Sequence, residues 1–149
     1  MKEDESVVSF GLGQEVRSRS VEFKKMFTVQ EAEETLPLVK RIVRDILATA
    51  GTIRVHLREP DHERTDSQLS RSQNELDEYL AELESIGCFF KDWDYSIGLV
   101  DFPSQIDGET VFLCWRSDEE KLAFYHRIDD GYRGRRPIPA ATRQRGPTE

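Results

Sequence analysis

Long apolar runs are missing from this chain. Nothing approaches the roughly 20 consecutive apolar residues that a spanning helix requires, so no membrane role is expected. Sulfur is scarce: two cysteines and two methionines stand among 149 residues. Two cysteines cannot build the disulfide framework of a small secreted domain. Both lie inside apolar runs, Cys88 in IGCFF and Cys114 in FLCWR, and read as buried thiols behaving as small hydrophobes. There is no CxxC, no zinc-type spacing, no HExxH, no P-loop and no dinucleotide glycine fingerprint, so neither a metal nor a cofactor is expected. Positive charge is also short. The formal net charge is −8, which makes nucleic acid an unfavourable partner for the surface as a whole. The N-terminal MKEDESVVSF is acidic and lacks the basic start and apolar stretch of a secretory signal. The expectation is a soluble, cytoplasmic protein.

What is present fits one domain with a modest core. Residues 1–25 show no sustained period and read as a flexible arm, with a short strand at Val7–Phe10. Thr28 and Glu31 then have the spacing of a capping box. Pro37 is predicted to break the chain into a short helix at 29–35 and a longer one restarting near Leu36. From there Val39, Ile42 or Val43, Ile46, Ala50, Ile53 and Leu57 recur at helical spacing. After a polar loop that includes His62, Leu69, Leu76, Tyr79, Leu80, Leu83 and Ile86 mark a second helix over about 67–86. Gly87 is placed to cap it. Two such stripes joined by a short loop predict an antiparallel helical hairpin.

Beyond Gly87 the residues turn β-type. Strands are expected at about 88–92, 97–102, 110–116 and 121–128, with Asp107-Gly108 as one turn and Ser117–Glu120 as another. The predicted fold class is therefore α+β: a two-helix hairpin, preceded by a short helix, packed with a three- to four-stranded antiparallel meander. The domain is expected to cover residues 26–138. Residues 139–149 are expected to form a flexible basic tail; from 133 onward five arginines, Arg143 and Arg145 among them, face only Glu149.

The last hairpin carries most of the chemistry. If Arg116 pairs with Lys121, period two puts Val111, Leu113, Trp115, Leu122, Phe124, His126 and Ile128 on one face. Cys114 then points away. His126 would end an apolar row, either as a core-edge histidine or as an imidazole with an acid–base or ligand role. Asp101 shares its face or the opposite one, depending on register across the Asp107-Gly108 turn. In the first case it flanks Val111 roughly 10 Å from His126, given strands about 4.8 Å apart. In the second, Val100 and Phe102 join the core. Asp129 follows His126 directly, beyond the strand end. His126, Asp101 and Asp129 are thus the catalytic candidates. Gly131, Arg133, Gly134 and Arg135 form a glycine-arginine loop suited to a small anion, and Trp115 joins them as a ligand-binding candidate. Trp93, between two carboxylates, is a candidate contact residue. His56 and His62 read as solvated.

Several separated segments together resemble the bacterial domain-of-unknown-function family 2203: FTVQEAEETLPLV at 27–39, GLVDFP at 98–103, VFLCWR at 111–116, YH at 125–126 and GYRGRRPI at 131–138. Members tend to carry a Gly-Glu turn after the Cys-Trp strand and Trp before the His; here the turn is Ser117–Glu120 and the residue is Tyr125. The resemblance implies a compact domain and names no reaction. It also places Asp101, Trp115, His126, Gly131, Gly134 and Arg135 in the family's pattern. The leading functional expectation is a non-enzymatic binding or interaction module that self-associates, as a dimer, through its helical hairpin, with a small anionic ligand or another protein as further partner. The alternative is a hydrolase-like enzyme using His126 as general base, or an anion binder around His126 and the glycine-arginine loop.

Overall fold

A computed structural model describes residues 23–58, 66–92 and 94–144. The expected strand at Val7–Phe10, His62, Trp93 and Arg145 lie outside these residues. Helix α1 spans Val29–Arg58 and α2 spans Asp66–Ile86. Five strands follow: β1 Phe89–Phe90, β2 Leu99–Ile106, β3 Glu109–Arg116, β4 Phe124–Arg127 and β5 Arg136–Pro137. A 3-10 turn at Tyr132–Gly134 precedes β5, and a short helix α3, Ala140–Gln144, follows it. The sheet is one antiparallel meander in the order β1-β2-β3-β4-β5. Helical hairpin and sheet together make the α+β arrangement expected, with one more strand than the meander anticipated.

The capping box forms reciprocally. The Glu31 amide donates to Thr28 Oγ1 and the Thr28 amide to Glu31 Oε1, each at 3.0 Å. The predicted break at Pro37 does not occur, and α1 runs through it without interruption. Proline withholds one amide from the helix, but Leu36 and Val39 on either side are buried in the same core. Tertiary packing of the stripe thus holds both turns in one helix. At the end of α2, Gly87 adopts φ 109°. The Cys88 amide reaches the Leu83 carbonyl at 3.2 Å and the Gly87 amide that of Glu84 at 3.0 Å, a Schellman closure.

β2 and β3 pair from Leu99↔Arg116 to Ile106↔Glu109. Asp107 and Gly108, both at positive φ, form the two-residue turn. Period two sends Phe90, Val100, Phe102, Leu113 and Trp115 toward α1, where they join Leu36, Val39, Val43 and Ile46 in the core. The opposite face is covered as well. Asp101, Phe112, Cys114 and His126 are all buried there, so both central strands are enclosed on two sides, more like strands of a layered sheet than of a one-sided meander.

Candidate functional site

On this second face β2 contributes Asp101, β3 contributes Phe112 and Cys114, and β4 contributes His126. Asp101 lies directly opposite Cys114, and Phe112 directly opposite His126. This corrects the expected pairing of Val111 with His126. The loop between β3 and β4 runs from Ser117 to Ala123 instead of ending at Glu120. Glu119 ties that loop back to the end of β3: its carboxylate accepts from the Arg116 amide at 2.9 Å, and its carbonyl accepts from Trp115 Nε1 at 2.8 Å. The result is a one-residue shift, which moves β4 side chains to the opposite face. His126 leaves the helical side and joins Cys114, which therefore does not point away from it.

His126 reaches diagonally across β3 to Asp101, with Nε2 and Oδ2 at 3.1 Å. Its other nitrogen, Nδ1, lies 2.8 Å from the Arg127 carbonyl. A carbonyl only accepts, so Nδ1 carries a proton. Burial works against a charged ring here. The hydrogen bond to Asp101, the Cys114 thiol, the Asp101 charge and the Arg127 carbonyl outweigh it, and the His126 pKa is pushed up to about 10. One ligand atom each from Asp101, Cys114 and His126 lies within 4.8 Å of the others. The three residues are 2%, 1% and 4% exposed.

Aromatic rings and an ion pair roof this cluster. Phe23 packs edge-on against Phe89 and Phe112 at 5.8 and 5.6 Å between centroids, and Phe112 lies 5.6 Å from the His126 ring. On the other side, the Arg135 guanidinium sits 4.2 Å over the Phe124 ring. Its Nη1 lies 3.9 Å from Cys114 Sγ and donates to Glu119 Oε1 at 3.2 Å, while Nη2 pairs with Glu119 Oε2. A cation therefore stands beside the thiol, held in place by a fork-to-carboxylate pair.

The structure thus brings together three of the expected site residues, Asp101, His126 and Arg135. Trp115 is not among them. It is buried on the helical face, where its indole packs in the core. Asp129 is exposed in the turn after β4, and Arg133 is exposed in the 3-10 turn. Gly131 takes φ 72° to begin that turn. At Gly134 an added Cβ would come within 2.6 Å of Asp130 Cβ. Both glycines therefore serve the loop's own path, and that path delivers Arg135 to Cys114. Cys114 and Glu119 were missed in the sequence reading. The shorter expected loop put His126 on the helical face, away from Cys114, and an acidic residue in a polar turn carries no signal of an arginine partner.

Fold and site define a small α+β domain with a buried carboxylate–thiol–imidazole cluster on the sheet face away from the helices. The chain belongs to the family described as "Uncharacterized conserved protein (DUF2203)", whose model matches residues 25–138. No curated protein and no solved structure matches it. No helix among the described residues is long and apolar enough to cross a membrane.

Proposed function

We propose that this domain is a non-enzymatic binding module whose ligand is taken at the Asp101–Cys114–His126 cluster. The observation that carries this reading is the convergence of three buried donor atoms within 4.8 Å of one another. Hydrophobic packing alone gives no reason to bury a carboxylate and an imidazole on a sheet face, and each costs free energy unless paired. The geometry favours binding over hydrolysis with His126 as general base. Nδ1 is committed to a carbonyl and Nε2 to a carboxylate, so neither nitrogen is open to accept a proton from a substrate. Thermal denaturation of the full chain against inorganic phosphate, acetate and divalent cations tests the reading. At least one probe should raise the Tm of the wild type and not that of Asp101→Asn. A flat response to every probe would overturn it.

Self-association through the hairpin is a second reading. Along α1 the buried stripe ends at Ala50, yet Ile53 continues it half-buried and Leu57 is 61% exposed. Light scattering at micromolar concentration should give a dimer mass for the wild type and a smaller species for Leu57→Glu. A monomer mass for the wild type would end this reading.

A further inference from the structure

We infer that the cluster is a binding site for a single divalent transition-metal ion of the zinc class, with Asp101 carboxylate oxygen, Cys114 Sγ and His126 Nε2 as its three protein ligands. This rests on the reading of the domain as a binding module and names its ligand.

The donor set fits first. One thiolate, one imidazole and one carboxylate are the ligand types that zinc accepts, whereas calcium and magnesium call for oxygen alone. The spacing fits next. A tetrahedral ion with bonds of about 2.3 Å to sulfur and about 2.0–2.2 Å to nitrogen and oxygen holds its ligand atoms about 3.4–3.6 Å apart. Nε2 and Oδ2 are now 3.1 Å apart and all three donors lie within 4.8 Å, so small side-chain adjustments suffice. The histidine is also oriented for the task. Nδ1–H is tied to the Arg127 carbonyl at 2.8 Å, the outer hydrogen bond that turns a metal-binding imidazole's other nitrogen toward the ion. Size excludes larger ligands, because Phe112, Phe124 and Arg135 close over residues that are almost wholly buried.

The charges of the loaded site also balance: one carboxylate, one thiolate, one neutral imidazole and one divalent ion sum to zero, so the buried site would carry no net charge once the ion is bound. No electron is transferred. The fourth coordination position falls to water or a small anion, with the Arg135 guanidinium 3.9 Å from the sulfur to accompany it.

The experiment uses the full chain after chelator treatment and dialysis, titrated with zinc by calorimetry and with cobalt(II) by absorption spectroscopy. The inference predicts one ion per chain, proton release that changes the apparent heat with buffer, and a thiolate-to-cobalt charge-transfer band. That band should vanish in Cys114→Ser, which keeps Cys88, and affinity should fall at least about tenfold in Asp101→Asn and His126→Gln. Circular dichroism checks that the variants fold, and the wild-type stoichiometry and band stand whether or not they do. No ion bound by the wild type, or a band unchanged in folded Cys114→Ser, overturns the inference. If phosphate or acetate nevertheless raises the wild-type Tm and not that of Asp101→Asn, the binding-module reading survives without the metal. If no probe binds, both fall.

Discussion

His126 Nε2 lies 3.1 Å from Asp101 Oδ2 although β3 runs between their strands. The pair is buried on both sides, and Cys114, opposite Asp101 on the intervening strand, has its sulfur within 4.8 Å of both groups. Removing one partner leaves the other without compensation in a dry site. Asp101→Ala should therefore lower the unfolding free energy by about 3–5 kcal/mol, as read by urea denaturation of the metal-free chain. A loss below about 1 kcal/mol would mean that the pair is not desolvated as described.

The same pair sets a pH dependence for the metal-free protein. The folded-state pKa of His126 is raised from 6.5 to about 10, so within that window the folded state holds a proton that the unfolded state has lost. Its contribution is fully present below about pH 6.5 and disappears as pH rises through about 10. Stability should fall across that range by on the order of 5 kcal/mol, and Asp101→Asn should flatten the slope. Parallel curves for wild type and variant would contradict this assignment.

Arg135 and Glu119 form the wall beside Cys114, with the guanidinium also stacked on Phe124. A double-mutant cycle with Arg135→Ala and Glu119→Ala should return a coupling of roughly 1–2 kcal/mol. Arg135→Lys should recover little of it, since an ammonium can neither fork onto the carboxylate nor stack as a plane. Full recovery by lysine would reduce the pair to simple charge attraction.

Gly98, the residue before β2, packs closely against α1. An added Cβ would lie 2.4 Å from Val43 Cγ1, so Gly98→Ala should cost about 1–3 kcal/mol by overpacking. Combining it with Val43→Ala should relieve part of that cost. Thermal melts of the two singles and the double check this, and a neutral Gly98→Ala would show that α1 can shift freely.

Much of the fold was legible because local signals agreed with one another. The Thr28–Glu31 box, the α1 stripe from Leu36 to Ala50, the Gly87 cap and the Asp107-Gly108 turn each state their own geometry. Pro37 misled because its local penalty is outweighed by burial of Leu36 and Val39 beside it. The site was legible only in part. Asp101, His126 and Arg135 stand out as residue types, but the expected register put His126 on the helical face, away from Cys114. A face assignment depends on counting loop residues, and the length of the 117–123 loop is fixed by Glu119 folding back onto Arg116 and Trp115. No periodicity records such a contact. Metal-ligand spacing was silent for a related reason: the three donors come one each from three strands, so their proximity is a property of the sheet.

The central claim is met most directly by crystals of the full chain grown with zinc and measured at the zinc absorption edge. The account predicts one anomalous peak per chain, about 2.0–2.3 Å from Asp101 carboxylate oxygen, Cys114 Sγ and His126 Nε2. A well-ordered cluster with no peak at saturating zinc, or a peak only elsewhere on the surface, would contradict it.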